Sequence, residues 1–173
     1  MDAITKQKMT LTLPSDLEFQ ITRTFDAPAG LVFRAWTETK HIKQWYGCEM
    51  AKLTRCDVDL NVDGGYRYTM RHPGGSGTIF GVYREIAAPE RLVYTQGYVT
   101  DGFLSPNALA TVTFVERNGR TTLTSMAAHT SKADRDAHLA SGVEQGAALR
   151  RAAALNPLAP ELAELRDEIR TDS

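Results

Sequence analysis

The chain has 173 residues, 42% hydrophobic and 24% charged, values typical of one globular domain with its own core. Its 20 basic and 21 acidic residues give a net charge of −1, which argues against general affinity for nucleic acid or anionic membranes. Because no segment resembles a signal sequence and no apolar run approaches the roughly 20 residues of a membrane span, we predict a cytoplasmic protein.

The first third of the chain predicts one strand followed by two short helices. Residues 17–25 alternate between apolar and polar side chains, as in a strand with one buried face. Pro28 suits the first turn of a helix, where its missing N–H is not needed. Thr37 is expected to cap a second short helix that carries Trp45.

The middle of the chain predicts antiparallel strands joined by tight turns. Alternating segments bounded by glycine, proline and asparagine lie at about 51–59, 66–71, 78–86, 91–98, 108–116 and 121–129. The threonines of the last two segments suit the solvent side. The opposite face of this hairpin is then expected to carry Val112, Phe114, Leu123, Ser125, Ala127 and His129.

The last quarter of the chain predicts one long helix and a tail. Ser131 and Asp134 have the spacing of a capping box, and Pro157 ends the helix because proline cannot continue its hydrogen bonds. The tail is expected to form a short amphipathic helix. We therefore divide the chain into an N-terminal extension (1–16), one domain (17–156) and a C-terminal extension (157–173).

No residue pattern indicates a metal site, a cofactor or a firm catalytic set. The four histidines lack the i, i+4 spacing of a helical zinc site, and the two cysteines form no C-x-x-C pair. No serine lies in a G-x-S-x-G elbow, and the glycine-rich loop at 74–77 joins two strands rather than a strand and a helix. We predict no metal and no cofactor, and find little support for an enzyme.

Aromatic residues on neighbouring strands are the strongest functional signal. Tyrosine combines an apolar ring with a hydroxyl group, which suits a pocket for a ligand of mixed polarity, although ordinary core packing is the alternative. We predict pocket walls formed by Tyr66, Tyr68, Phe80, Tyr94 and Tyr98. The mouth is expected at Trp45 and Phe103. Further contacts are expected from Gln96, Ser125, His129, Val143 and Gln145.

Five groups of residues together resemble one known family. They are D-A-P-A-G-L-V-F-R-A-W at 26–36 followed by the second tryptophan Trp45, D-L-N-V-D-G-G-Y-R-Y at 59–68, G-V-Y-R-E-I-A-A-P-E-R-L-V-Y-T at 81–95, T-V-T-F at 111–114 with T-T-L-T at 121–124, and S-G-V-E-Q-G at 141–146. The chain is similar, over about residues 19–150, to bacterial homologues of the C-terminal domain of the activator of the heat-shock protein 90 ATPase. These belong to the START/birch-pollen-allergen-like (SRPBCC) superfamily.

The resemblance implies an α+β, helix-grip (START/SRPBCC-like) fold. In that fold a seven-stranded antiparallel sheet wraps around a long C-terminal helix, two short helices follow the first strand, and a deep hydrophobic cavity lies between sheet and helix. The resemblance limits function only to a set of classes, since relatives include small-molecule binders, polyketide cyclases and co-chaperone domains.

We favour the hypothesis that the chain binds a small hydrophobic or aromatic molecule in an internal cavity without firm catalytic activity. One alternative is a co-chaperone-like interaction module with a chaperone partner, acting through the outer sheet face or the tail. Another is a cyclase- or hydrolase-like enzyme with His129 or a cavity tyrosine as general acid or base. Neither nucleic acid nor membrane is expected as a partner, and a homodimer is left open.

Overall fold

The computed structural model describes residues 10–45 and 52–140, except the side chains at 44 and 45. The elements in these ranges are β1 (Thr10–Ser15), β2 (Glu18–Phe25), α1 (Ala29–Thr37), α2 (Thr39–Trp45), β3 (Lys52–Val58), β4 (Gly65–His72), β5 (Gly75–Ala87), β6 (Arg91–Thr100), β7 (Phe103–Leu104), β8 (Ala108–Arg117), β9 (Arg120–Ala128) and α3 (Lys132–His138).

The strands form a single antiparallel sheet. Its order is β1-β2-β9-β8-β6-β5-β4-β3, and the short β7 pairs with the end of β6. The β8–β9 hairpin turns at Asn118 and Gly119, whose φ angles of 54° and 75° are those that a two-residue hairpin loop requires.

The number of strands differs from the expected seven, because the described ranges contain nine. One addition is β7. The other is β1, which lies in the predicted N-terminal extension and pairs with β2 from Thr10 opposite Thr22 to Ser15 opposite Glu18. Pro14 is tolerated there because β1 is an edge strand and needs hydrogen bonds on one side only. The sheet therefore begins seven residues before the predicted boundary at residue 17.

Helix α1 begins after Pro28, and its first N–H group is satisfied by a strand. The N–H of Ala29 donates to Oε1 of Glu116 on β8 over 2.7 Å. The prediction that Thr37 caps the second helix is wrong. Thr37 ends the first one instead, where its hydroxyl donates to the Phe33 carbonyl over 2.8 Å.

Replacing Glu116 with alanine is expected to lower the free energy of unfolding by about 1 kcal/mol, since the helix loses an acceptor and a negative charge at its N-terminus. Urea unfolding followed by circular dichroism measures this loss. The control is Glu85→Ala, which removes a glutamate from an exposed pair with Arg91 and is expected to change stability by less than about 0.5 kcal/mol. Equal losses in the two variants would contradict the capping role.

The hydrophobic core lies on the sheet face that α1 and α2 cover, which we call the inner face. Leu31, Val32 and Phe33 of α1 pack there against the buried residues of β6, β8 and β9, and Phe33 stacks edge-on against Phe114 at 5.3 Å. A smaller cluster joins Ile42 of α2 to β3. The inward facing predicted for the last hairpin is confirmed, since Val112, Phe114, Leu123, Ala127 and His129 are buried.

The C-terminal helix starts where the sequence predicts. The hydroxyl of Ser131 accepts from the N–H of Asp134 over 3.1 Å, and α3 follows from Lys132 to His138. This described helix is short rather than long; the predicted continuation toward residue 156 and the tail at 157–173 lie outside the described residues. Of the helices in the described ranges, none combines the length and the apolar character needed to cross a bilayer.

Candidate ligand-binding site

Four tyrosines from three adjacent strands meet on the inner face. The ring centroid of Tyr66 lies 5.2 Å from that of Tyr68, 5.5 Å from that of Tyr83 and 5.4 Å from that of Tyr94. The Tyr83 and Tyr94 centroids are 6.0 Å apart. These spacings are those of favourable edge-on and tilted ring pairs. We call Tyr66, Tyr68, Tyr83 and Tyr94 the tyrosine cluster.

Sequence reasoning included three members of this cluster and missed Tyr83. The pairing of Tyr83 with Tyr94 across β5 and β6 puts both side chains on one face. The signal that could have found it is the period of two along β5, because Ile79, Gly81 and Tyr83 share a side.

Tyr83 is the most enclosed ionisable group of the cluster. Its side chain is 3% exposed, and burial raises its pKa from 10.0 to about 12, against the lowering effect of a hydrogen bond with Tyr68. The phenol therefore stays neutral near neutral pH. It contributes an apolar ring with a bonded hydroxyl, not a charge, to the inner face.

The raised pKa of Tyr83 predicts a loss of stability in strong base. The folded protein holds this proton more tightly than the unfolded chain does, so the stabilisation is complete below pH 10 and is lost as pH rises through about 12. We expect the free energy of unfolding to fall over this window, and to fall less steeply in Tyr83→Phe. Ultraviolet titration should show a tyrosinate step near pH 12 that the variant lacks; a variant that retains the step would contradict the assignment.

The cluster is anchored where the β5–β6 ladder is interrupted. The Tyr66 hydroxyl donates to the carbonyl oxygen of Thr95 over 2.8 Å, and the N–H of Val82 donates to the hydroxyl of Thr95 over 2.9 Å. A Cβ atom at Gly81 would overlap the Thr95 carbonyl oxygen and lie 2.7 Å from the Tyr66 ring. Only glycine therefore fits at residue 81 while this tyrosine is in place.

Beside the tyrosine cluster, the inner face is lined by methyl groups. The register across four strands places Tyr94 opposite Ala110, Ala110 opposite Ala127, and Ala127 opposite Phe19. Ala108, opposite Gln96, extends this surface, which we call the alanine floor (Ala108, Ala110 and Ala127). Three strand spacings separate Tyr94 from Phe19, about 14 Å. The floor is thus flanked by aromatic rings on both sides.

The wall opposite the tyrosine cluster consists of Phe19 and two histidines. The Phe19 centroid lies 5.5 Å from that of His129 and 4.9 Å from that of His138. His129 is 8% exposed, and its Nδ1 lies 3.0 Å from the Leu17 carbonyl oxygen, which can only accept, so Nδ1 carries the proton. Its Nε2 lies 2.9 Å from Nδ1 of His138. Both ring nitrogens of His129, which directly follows β9, are therefore in contact with other parts of the protein, one with Leu17 and the other with His138.

Four other predicted site residues lie around this surface. Gln96 and Ser125 are half-buried on the inner face at the edges of the alanine floor. Tyr98 also faces inward, with its ring over Gly77 near the end of β6. Phe103 is 55% exposed in β7 and so lies at the rim rather than in the wall.

Phe80 does not line the inner face. It pairs with Arg67 on β4 and Gly97 on β6, and it points to the opposite side of the sheet, where its ring packs over Gly97. The prediction failed because it grouped aromatic residues by sequence without the register of β5. The side chain of Trp45, and both Val143 and Gln145, lie outside the described part of the chain.

A family profile described as "Activator of Hsp90 ATPase homolog 1-like protein" matches residues 26–151, most of the chain. The chain belongs to this family. The matched range includes α1, α2, the tyrosine cluster and the alanine floor. No curated protein matches the sequence.

Solved structures similar to this member of the family share its fold. A Rhodobacter sphaeroides protein is 21% identical, with a TM-score of 0.79 over 88% of this chain and 99% of that one. Protein Ms6760 of Mycobacterium smegmatis is 22% identical, with a TM-score of 0.75 over 91% and 96%. A Staphylococcus epidermidis protein is 26% identical, with a TM-score of 0.70 over 85% and 93%. The fold is therefore helix-grip-like, with a large antiparallel sheet and few helices.

The described ranges contain no group of three or more histidine, cysteine or carboxylate side chains that could hold a metal ion. The chemistry available on the inner face is that of phenols, methyl groups, the imidazoles of His129 and His138, and the polar side chains of Gln96 and Ser125. Its largely apolar lining suits contact with an apolar body.

Proposed function

We propose that this chain binds a small hydrophobic or aromatic molecule on the inner face of the sheet, over the alanine floor. The observation that carries the proposal is the row Tyr94, Ala110, Ala127 and Phe19, in which aromatic rings stand at both ends and only methyl groups lie between them. A flat apolar body laid on the methyl groups would contact a ring at each end.

Apolar burial supplies the binding free energy in this proposal. Burial contributes about 25 cal/mol per Å², so a ligand that buries about 300 Å² gains about 7.5 kcal/mol before the entropic cost of association is subtracted. Rings already packed against one another lose little further freedom when the ligand enters. This favours a ligand of one or two rings over a long flexible chain.

Two polar side chains are available to orient the ligand. Gln96 and Ser125 are half-buried beside the alanine floor, and within residues 10–45 and 52–140 neither side chain makes a hydrogen bond. An amide offers two donors and one acceptor, and a hydroxyl offers one donor. A ligand with one or two hydroxyl or carbonyl groups could form hydrogen bonds with these side chains, which a pure hydrocarbon could not.

Binding without catalysis is favoured over the enzyme hypothesis by the contacts of His129. One ring nitrogen faces a backbone carbonyl and the other faces His138, so both positions from which a general base would act are occupied within the protein.

The test is native mass spectrometry in two steps. The protein is first measured as purified gently from its own cells, and we expect either a mass excess that disappears on denaturation or an empty protein. An empty protein is then mixed with N-phenyl-1-naphthylamine, a neutral aromatic probe, and we expect stoichiometric uptake. An empty protein that takes up no probe at saturating concentration would overturn the proposal.

A further inference from the structure

The sheet face opposite α1 and α2, which we call the outer face, carries a row of positive charge. Lys52 on β3 pairs with Arg71 on β4. On the same face of β4, Thr69 lies two residues before Arg71, and Arg67 lies two residues before Thr69. Together with Arg55, these cations form what we call the basic row (Lys52, Arg55, Arg67 and Arg71). Arg55 forms an ion pair with Asp57. Lys52, Arg67 and Arg71 form no ion pair with any residue in the described ranges.

An apolar row lies directly beside the basic row. It consists of Phe80 on β5, Val99 on β6 and Leu104 on β7, of which Val99 is 37% exposed and Leu104 is 65% exposed. The two rows border a groove of about 410 Å³, lined by Arg55, Arg67, Thr69, Thr78, Phe80, Val99 and Leu104. Because several of these side chains are exposed, this is an open groove and not an enclosed cavity.

The groove is wide enough for an α-helix. Two strand spacings measure about 10 Å, close to the diameter of an α-helix with its side chains. An amphipathic helix laid along an open apolar groove makes contact through residues three, four and seven apart. A helix that fits here needs an apolar stripe with acidic residues along one flank of it.

The C-terminal segment of this chain has that pattern. Within residues 157–173, a helix would align four apolar side chains within about 60° of one another. These are Leu158, Leu162, Leu165 and Ile169. One flank of this stripe would carry acidic residues, namely Glu161, Glu164, Glu168 and Asp172. The other flank would carry Arg166 and Arg170. The charges are therefore segregated to the two sides of the stripe.

We propose that residues 157–173 dock as a helix in the outer groove of their own chain. The apolar stripe lies on the apolar row, and the acidic flank lies along the basic row. The segment has five acidic and two basic side chains, a net charge of −3, which complements the positive charge of the basic row. Because the family match ends at residue 151, this contact belongs to a part of the chain beyond the shared domain.

The connection is long enough in an extended conformation. Residues 141–156 separate the last described residue from the segment, and these 16 residues span about 24 Å as a helix and about 50 Å when extended. A domain of this length is about 40 Å across. Docking within one chain also gains from the high effective concentration of a tethered segment, on the order of millimolar.

The test is photo-crosslinking in the full-length chain with p-benzoylphenylalanine in place of Leu165. We expect the crosslinked peptides to contain residues 77–82 or 99–104, in a product with the mass of one chain. Arg67→Glu should lower the yield at least about fivefold. The further exchange of Glu164 and Glu168 for arginine should restore at least half of it, which a general loss of folding would not permit.

Two controls match the charge changes. Arg120→Glu reverses an exposed arginine at the β8–β9 hairpin, and Arg166→Glu with Arg170→Glu reverses the flank that faces away from the basic row; neither should reduce the yield. Crosslinks to other segments would overturn the proposal, as would equal effects of Arg67→Glu and Arg120→Glu. A product with the mass of two chains would assign the groove to a second copy instead.

Discussion

Replacing Gly81 with alanine is expected to lower the free energy of unfolding by about 3 kcal/mol, more than any other single methyl group added to the sheet. The new Cβ atom would overlap the Thr95 carbonyl oxygen, which belongs to the backbone and cannot turn aside. It would also press on the Tyr66 ring at 2.7 Å. The hydrogen bond from the Tyr66 hydroxyl to Thr95 would be lost as the strands separate.

Gly30 provides the matched control for this substitution. It lies in α1, and a Cβ atom there would meet nothing within 4 Å. Because alanine is the better helix former, Gly30→Ala is expected to raise the free energy of unfolding by up to about 1 kcal/mol. Urea unfolding of both variants gives effects of opposite sign. A Gly81→Ala protein as stable as the wild type would show that the interrupted ladder does not depend on this glycine.

Replacing Ala110 with leucine is expected to weaken binding of N-phenyl-1-naphthylamine by about 100-fold or more. Ala110 is 2% exposed at the centre of the alanine floor, between Tyr94 and Ala127. Three added carbon atoms would occupy the place that the proposal gives to the ligand, and overpacking of this kind costs typically about 1–3 kcal/mol in addition to the lost ligand contacts. Fluorescence titration with the probe measures the dissociation constant.

Thr111→Leu is the control for that experiment. It places the same leucine side chain at the next residue of β8, whose side chain points to the outer face. Its dissociation constant for the probe is expected to stay within about twofold of the wild-type value. The probe is neutral, so the basic row on the outer face adds no electrostatic attraction. If both variants bound the probe alike, the ligand would have to lie elsewhere.

The features that the sequence predicted correctly depend on local chemistry. The turn at Asn118 and Gly119 requires positive φ, and Ser131 caps α3 through Asp134, three residues away. The inward facing of the last hairpin followed from the alternation of threonine with apolar residues along each strand. Each of these patterns is complete within a few residues, so no information about distant strands was needed.

The features that the sequence did not predict depend on contacts between distant strands. Phe80 was assigned to the pocket because it is aromatic, but the β4–β5 register turns it to the face of Arg67. Tyr83 was overlooked although the period of two along β5 places it on the side of Ile79 and Gly81, and the strand pairing then brings it beside Tyr94 and Tyr66. Ala127 was predicted to face inward, but the row from Tyr94 to Phe19 was not predicted, because it requires the pairing of β8 with β6 and of β9 with β2.

Nuclear magnetic resonance of alanine-methyl-labelled protein would show whether an apolar ligand lies on the alanine floor. With N-phenyl-1-naphthylamine bound, we expect nuclear Overhauser effects from the naphthyl protons to the methyl groups of Ala108, Ala110 and Ala127. Contacts confined to other alanine methyl groups, or no contacts at all with the probe at saturation, would show that the ligand does not bind there.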